Sequence, residues 1–306
     1  MNVLLTSKTE QKTKIYDFMR WNYFAFFVSV ILCIISILVI YNKNFNLGID
    51  FTGGKIVEIQ LEKPINLTIL KKSLQKSGLY KVNLQKFDSD LNIKIQFYLN
   101  KNADDTLTIK NILNNIYLQK KQKVIITRTE SIGPGAGADL FLKGITAFFA
   151  ALFSIFIYVT FRFEWRLALS TIIALIHDII ITIGFLSLFS IEINLTSIAS
   201  LISVIGYSLN DSIVSSDRIR ENFNKIKNIS SYEIINLSLT QTLKRTLMTA
   251  AIILIAIIIL AIFGGEFLKS FSLTMLIGVS IGTLSSFYIT SALALVFGIN
   301  NKILTK

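Results

Sequence analysis

The sequence contains very little cysteine and histidine. Its 306 residues include one cysteine, Cys33, and one histidine, His177. A single thiol excludes an intrachain disulfide and a multi-thiolate metal site, and a single imidazole leaves no histidine cluster for zinc. We therefore predict no metal site.

Charged residues are also scarce, and apolar residues are grouped in long runs. Only 16% of the residues are charged and 52% are hydrophobic, whereas a soluble domain carries about 25% charged residues. This composition, with a mean hydropathy of +0.60, predicts a polytopic membrane protein. The net charge of +12 could suit a nucleic acid. Because the membrane topology described below accounts for part of it, no nucleic-acid partner is expected.

Six apolar runs are long enough to cross a membrane. The first, 21–41, follows a polar N-terminal segment, 1–20, and no cleavable signal peptide is expected because the run itself can span. The remaining five form a predicted membrane region, 140–301, which a short polar end, 302–306, follows. Their predicted ranges are 144–161, 167–189, 193–216, 246–263 and 271–297.

Residues 42–139, between the first and second spans, are charged and mixed, and are numerous enough for a small soluble domain. The order of predicted elements is β-α-β-β-α-β, which is that of the split βαβ, ferredoxin-like domain. We therefore predict one α+β domain of this type. The predicted strands are 55–61, 81–87, 92–98 and 123–131, and the predicted helices are 66–77 and 106–118.

Lysine and arginine in the short loops predict the orientation in the membrane. The opposite side has no basic residue at 190–192 and only Lys269 in its other short loop. Both termini are therefore predicted in the cytoplasm and 42–139 in the periplasm, because long segments translocate largely regardless of their charge. The side of the N-terminus collects Lys8, Lys12, Lys14, Arg20, Arg162, Arg166, Arg218, Arg220, Lys225, Lys227, Lys244, Arg245, Lys302 and Lys306.

The span 193–216 carries one carboxylate, Asp211, and leads into a cluster of charges. A charged residue at the centre of a membrane helix costs about 2.5–3.5 kcal/mol on insertion scales. An acid in this position therefore indicates a functional role. The i, i+4 rule places Ser203, Tyr207 and Ser215 on the same face as Asp211. The alternative is an inter-helix hydrogen bond that only holds the bundle together.

Arg245 is the predicted partner of Asp211. Ser230 and Glu233 form a capping-box pattern, so the helix leading into the fifth span is expected to start well before the membrane. Arg245 would then enter the bilayer at about the depth of Asp211. An opposite charge stabilises an ionised carboxylate, and its withdrawal favours protonation, as a proton-coupled switch requires. A static pair, or an arginine that anchors the helix end in headgroups, is the alternative.

Asp178 lies nearer the membrane midplane, on a face that also carries Thr171 and Thr182. His177 precedes it, but adjacent side chains on a helix do not face each other, so no contact between the two is expected. A second relay acid and a helix-packing acid are both compatible with the sequence.

Glycines in two places have structural interpretations. Gly278 and Gly282 form a small-xxx-small pattern in the last span, which favours helix packing. The glycine-rich segment 133–137 lacks the Lys-Ser/Thr that ends a P-loop, so we interpret it as a flexible link and not as a phosphate site.

Ordered motifs along the chain resemble those of the bacterial SecD/SecF protein-export family, from about residue 15 to residue 300. The segment GIDFTGG at 48–54 resembles the signature after the first span, and SIGP at 131–134 resembles the segment before the second. ALIHD at 174–178 and IGYSLND at 205–211 resemble the SecF branch in particular. The motif residues are Gly48, Asp50, Phe51, Gly53, Gly54, Gly133, Pro134, Gly206, Tyr207 and Asn210.

This resemblance implies the function and partners that we expect. The chain would be the SecF-like half, related to the RND superfamily, of a SecD–SecF complex in the bacterial inner membrane. That complex would work beside the SecY–SecE–SecG channel, with YajC as a candidate further partner and an unfolded preprotein as substrate. It would use the proton gradient, without a cofactor or enzyme activity, to assist translocation and periplasmic release. In the family, proton coupling falls on the positions of Asp211 and Arg245, and Asp178 is a further candidate.

Two other functions are compatible with parts of the sequence. An intramembrane aspartyl protease would use Asp178 and Asp211 as a dyad, but their depths differ by about 8 Å along adjacent helices, and 206–211 is not a GxGD motif. An RND-type small-molecule exporter half is the second alternative, although 42–139 is small for a drug-binding funnel and six helices would need a partner.

Overall fold

The structure is a computed structural model that describes residues 15–76, 80–87, 89–98, 124–226 and 229–299. The predicted helix 106–118 lies outside the described residues, as do most of 1–20 and all of 302–306. The chain divides into two compact units: 47–146 forms one, and the chain up to Asn46 together with the chain from Ala147 onward forms the other.

The described residues form eight α-helices and four β-strands, numbered here in chain order. The helices are α1 (Asn22–Lys43), α2 (Ile49–Thr52), α3 (Leu67–Lys76), α4 (Pro134–Arg162), α5 (Trp165–Leu188), α6 (Leu195–Lys225), α7 (Ser231–Phe263) and α8 (Gly265–Val296). The strands are β1 (Gly54–Leu61), β2 (Tyr80–Phe87), β3 (Ser89–Tyr98) and β4 (Val124–Ile132).

The six helices α1 and α4 to α8 are long and apolar enough to cross a membrane, which confirms the predicted number of spans. In this unit α5, α6 and α8 form the buried centre, whereas α1, α4 and α7 bury much less of their surface. The core contains large side chains from several of these helices, among them Leu167, Ile205, Ile234 and Phe287. Most polar side chains of the central helices are therefore enclosed by protein.

The segment 217–245, which lies between two predicted spans, is largely helical. Helix α6 continues to Lys225 because Ile219 and Phe223 continue its buried face beyond the apolar run. Helix α7 starts at Ser231, and the predicted capping box is confirmed: Ser230 accepts a hydrogen bond from the Glu233 amide, and Glu233 accepts one from the Ser230 amide. The two helices thus extend as a hairpin past the predicted spans.

The unit 47–146 contains an antiparallel sheet in the strand order β2-β3-β1-β4. Helix α3 covers one face of the sheet with Leu70 and Leu74, which pack on Ile59, Ile93 and other strand residues. Burying each such side chain contributes about 1.5–3 kcal/mol. The four predicted strands and the first helix are present. Because the second helix lies outside the described residues, the ferredoxin-like topology remains a prediction.

The GIDFTGG motif forms the short helix α2 and the turn into β1. Gly53 has φ 67° and Gly54 has φ 127°, conformations that residues with a Cβ rarely adopt. At Gly54 a Cβ would also lie 2.9 Å from the carbonyl oxygen of Phe97. The ring of Phe51 packs edge-on against that of Phe141 at 5.4 Å. These contacts give the motif a structural role in the sheet-containing unit.

Candidate functional site

Asp211 lies in the buried centre of the helix bundle. Its side chain is 2% exposed, and its Oδ2 has no hydrogen-bond partner among the described residues. An ionised carboxylate without a partner is costly to bury, whereas the protonated group is neutral. The position is therefore suited to a carboxyl group that takes up and releases a proton.

The face of α6 around Asp211 carries further buried hydroxyl groups. The hydroxyl of Ser215, one turn after Asp211, is buried and without a hydrogen bond among the described residues. The hydroxyl of Tyr207, one turn before Asp211, is also buried and lies beside the hydroxyls of Thr249 and Thr283. Ser203, the fourth residue of the predicted polar face, is exposed and donates to the Ala199 carbonyl of its own helix. The polar face is thus confined to 207–215.

Arg245 on α7 is close enough to Asp211 to interact with it electrostatically, but in the part of the chain that the structure describes no ion pair joins them. Arg245 is exposed and lines a polar cavity of about 520 Å³ together with Asn210 and Gln241. In this arrangement the acid and the base lie near each other without direct contact. The role predicted for the pair remains a prediction.

The other cations around this cavity are neutralised. The guanidinium of Arg218 contacts Glu221 at 2.7 Å and Gln241 at 2.6 Å. Asp217 binds Arg162 at 2.8 Å and Arg220 at 3.2 Å. Among the described residues, no acidic side chain forms an ion pair with Arg245. The cavity therefore holds an arginine whose charge is available to Asp211.

Asp178 on α5, in contrast to Asp211, is hydrogen-bonded through both carboxylate oxygens. Ser208 of α6 donates to Oδ2 at 2.7 Å, and Nδ1 of His177 lies 2.9 Å from Oδ1. Nε2 of His177 is hydrogen-bonded to the hydroxyl of Ser29 on α1. The chain Ser29–His177–Asp178–Ser208, here the α1–α6 relay, thus links three helices.

The expectation that His177 and Asp178 do not touch is wrong. The i, i+1 rule describes where Cβ atoms point, but the imidazole ring is long enough to turn back toward the carboxylate. In apolar surroundings both ring nitrogens need partners, and Asp178 and Ser29 supply them. Sequence reasoning missed Ser29 and Ser208 because hydrogen bonds between helices leave no periodic signal; the lone histidine in a span was the available sign.

Gly278 and Gly282 of α8 lie against α6. A Cβ at Gly278 would overlap the side chain of Val204, and one at Gly282 would lie 3.0 Å from Cβ of Ser208 and 3.6 Å from Oδ2 of Asp178. The glycines permit close approach of α8 at the level where Asp178 is hydrogen-bonded.

The remaining motif residues have different surroundings. A Cβ at Gly206 or at Gly133 would meet no neighbouring atom within 4 Å, and Pro134 is the first residue of α4. Gly48 precedes α2 and Asp50 lies in its first turn. In the described ranges, no group of three or more His, Cys, Asp or Glu side chains could hold a metal ion.

Two family models match this chain. The model described as protein export membrane protein SecD/SecF, C-terminal, matches residues 112–300, and the SecD/SecF GG motif model matches residues 40–65. The first covers more than half of the chain, and the second contains the GIDFTGG segment.

The similar proteins carry the same description. Protein translocase subunit SecF of Escherichia coli O157:H7 is 52% identical over 290 residues, which are 94% of this chain and 90% of that protein. Protein translocase subunit SecF of Vibrio alginolyticus is 40% identical over 289 residues, with coverages of 94% and 92%.

Two solved structures resemble the fold. The crystal structure of SecDF, a translocon-associated membrane protein, from Thermus thermophilus has a TM-score of 0.83 at 31% identity. The match covers 93% of this chain and 39% of that longer chain, so the present chain spans about two fifths of its length. SecDF in a super-membrane-facing form has a TM-score of 0.68 at 30% identity, with coverages of 96% and 40%.

Proposed function

Because the chain belongs to the SecD/SecF family of protein export membrane proteins, we propose that it uses the proton gradient to assist preprotein translocation. The chain is a SecF-like translocation subunit and a multi-pass inner-membrane protein, with SecD as its partner. The proposal extends this to the energy source, the substrate and the side of action. In it the substrate is an unfolded preprotein that leaves the SecY–SecE–SecG channel and is released at the periplasmic face.

The observation that carries the proposal is the proximity, without direct contact, of Asp211 and Arg245, two groups of opposite charge. Asp211 is buried without a hydrogen bond at Oδ2, and Arg245 faces a polar cavity nearby without an ion-pair partner among the described residues. We expect two states of this pair of side chains. In one the ionised carboxylate approaches the guanidinium, and in the other the carboxyl is protonated and the helices part.

The membrane potential supplies enough free energy to bias these states. Moving one elementary charge across the membrane is worth about 2.3 kcal/mol per 100 mV, and a two-state helix arrangement changes its populations about tenfold for every 1.4 kcal/mol. Proton transfer to and from Asp211 can therefore shift α6 relative to α7. Asp178 serves as a helix-packing acid in this scheme, because both of its oxygens are already engaged.

Topology and partners complete the proposal. Both termini lie in the cytoplasm and 42–139 is a ferredoxin-like periplasmic domain, as the basic loops and the strand order 2-3-1-4 support. The chain works with SecD beside the SecY–SecE–SecG channel, and YajC is a further candidate partner. The aspartyl-protease alternative is not supported, because Asp178 bonds to His177 and Ser208 and not to Asp211.

The Asp211→Asn variant tests the proposal, since an amide keeps the size of the side chain but cannot carry a proton. We would measure completion of preprotein transport in inverted membrane vesicles with the native partners, with and without a proton gradient. We expect the benefit of the gradient to disappear while the complex remains assembled. The matched control is Asp139→Asn, whose exposed ion pair with Lys143 contributes little. A full gradient benefit in Asp211→Asn would refute the proposal.

A further inference from the structure

The segment that follows α1 is hydrogen-bonded to the turn between α5 and α6. We call this set of contacts the linker clamp. It comprises Lys43 Nζ to the Leu188 carbonyl at 2.5 Å, Ser187 Oγ to the Asn44 carbonyl at 2.8 Å, Asn46 Nδ2 to the Ser190 carbonyl at 2.9 Å, and the Ile193 amide to the Asn46 carbonyl at 2.8 Å. These are four connections between segments more than 140 residues apart in sequence.

The backbone of the linker clamp is held in unusual conformations. Within the part of the chain that the structure describes, Asn44 (φ 58°) and Ser190 (φ 52°) are the non-glycine residues with positive φ, and both lie in the clamp. Asn44 also has ψ −174°, a region that essentially only glycine occupies. Such conformations persist only where the surroundings determine them, and they concentrate at switch regions.

The rest of α1 is attached to the same helix. Ser36 packs so closely on Gly184 of α5 that a Cβ there would overlap it, and Ser29 is bonded to His177. Together with the clamp, these contacts lie at three levels of α1. Although α1 buries little of its surface, these polar and close contacts attach it to α5 at several points along its length.

The turn held by the clamp leads directly into the helix that carries Asp211. Ile193 precedes the Asn194 capping box that starts α6, and the α1–α6 relay joins α5 to α6 at Ser208, one turn before Asp211. The 187–193 turn is thus connected to α6 in two ways: directly along the chain at Asn194, and through α5 by the Asp178–Ser208 hydrogen bond. On the other side of the clamp, the chain enters the 47–146 unit directly after Asn46.

We propose that the linker clamp is the joint through which movement of α5 and α6 is transmitted to the 47–146 unit. Lys43, Ser187 and Asn46 are then positioning residues for the proton-driven step. This inference rests on the proposed function, because it assigns a mechanical route to the same coupling. When the clamp is closed, α1 and the start of the 47–146 unit move with the 187–193 turn. When the clamp is open, the segment after α1 does not have to follow that turn.

The double variant Ser187→Ala, Asn46→Ala removes two of the four bonds and leaves the helices intact. Asn42→Ala is the matched control, because the amide of Asn42 bonds only to Leu38 of its own helix. The first measurement is hydrogen exchange of the Ile193 amide in the complex with SecD. Each hydrogen bond lost is expected to speed local opening by about fivefold, and the control is expected to exchange like the native chain.

The second measurement is preprotein transport in inverted membrane vesicles with and without the proton gradient. We expect the double variant to lose most of the gradient-dependent acceleration, at least about fivefold, while transport without a gradient and co-purification with SecD stay native. Asn44→Gly should keep the gradient benefit, because this residue contributes only its backbone carbonyl and glycine adopts its conformation freely.

Three results would overturn the inference. One is a native gradient benefit in the double variant despite faster exchange at Ile193, and another is unchanged exchange there. The third is a loss in Asn44→Gly equal to that in the double variant. If the native chain itself shows no gradient benefit, the proposed function fails and the clamp inference fails with it. Lys43→Ala, which removes one bond at an exposed position, is the second variant should the double variant not assemble.

Discussion

At the scale of single residues, the two membrane acids differ in what surrounds them. Asp178 is engaged through both oxygens, whereas Asp211 has an oxygen without a partner. A carboxylate whose oxygens are both hydrogen-bonded stabilises one arrangement of the helices. A carboxylate with an unbonded oxygen gains a hydrogen bond or an ion pair when the helices move and bring a partner to it. Two aspartates in neighbouring membrane helices can thus be assigned different roles from their hydrogen bonds.

Ser208→Ala tests the structural role of Asp178. The change leaves Oδ2 of Asp178 without its donor, and inter-helix hydrogen bonds in membranes contribute on average about 0.6 kcal/mol and at most about 1.7. We expect a loss of unfolding free energy in this range, measured by denaturation in detergent. Ser203→Ala on the same helix is the control, because Ser203 bonds only to its own backbone. Equal stability of the two variants would contradict the assignment.

Sequence reasoning identified Asp211, Asp178 and Arg245 because charges in apolar runs are conspicuous. It did not find Ser29, Ser208 or the His177–Asp178 contact. These depend on how helices pack and on side-chain rotamers, and residues 29 and 177 are 148 positions apart. Local periodicity contains no information at that separation. The absence of a direct Asp211–Arg245 ion pair was likewise beyond what spacing along two helices could show.

At the scale of helices, hydropathy and capping residues predicted which helices exist better than they predicted where each helix ends. The six spans and the Ser230 cap follow from runs and capping residues. The continuation of α6 to Lys225 does not, because it depends on α7 packing alongside. Asn222 of α6, for example, donates to both Ser238 and Gln241 of α7 at 2.8 Å. Tertiary contacts therefore extended the helices beyond what hydropathy indicated.

The close contact of α6 and α8 can be tested at Gly278. In Gly278→Ala the new methyl group overlaps Val204, and overpacking of this kind costs about 1–3 kcal/mol. We expect a lower unfolding midpoint in detergent and slower assembly with SecD. The control is Gly206→Ala, where the methyl group meets no atom within 4 Å and the expected change is near zero. A destabilisation of similar size at both glycines would argue against this packing.

At the scale of the whole molecule, the fold of the sheet-containing unit and the orientation of the helix bundle in the membrane were predicted from different sequence features. The strands follow from alternation of apolar residues and turn signals, and the order β2-β3-β1-β4 is consistent with the split βαβ prediction. Sidedness in the membrane was inferred only from lysine and arginine counts.

Cysteine accessibility would establish the orientation. In a Cys33→Ser background, Gln60→Cys in β1 is expected to react with a membrane-impermeant thiol reagent in intact spheroplasts, because Gln60 is exposed in the 47–146 unit and the proposed topology places that unit in the periplasm. Lys225→Cys, exposed at the end of α6, should react only after permeabilisation. The reverse pattern would invert the proposed topology. Equal labelling of both positions in intact spheroplasts would show that the two lie on the same side.

The histidine of the α1–α6 relay can also serve as an intrinsic spectroscopic probe. With one histidine in 306 residues, isotope labelling of histidine in this subunit alone yields a single imidazole with two nitrogen resonances. Nε2 reports on the contact with α1 and Nδ1 on the contact with Asp178. Solid-state NMR of that ring could therefore follow detachment of α1 and disturbance of the helix core as separate signals, with no mutation and no attached probe.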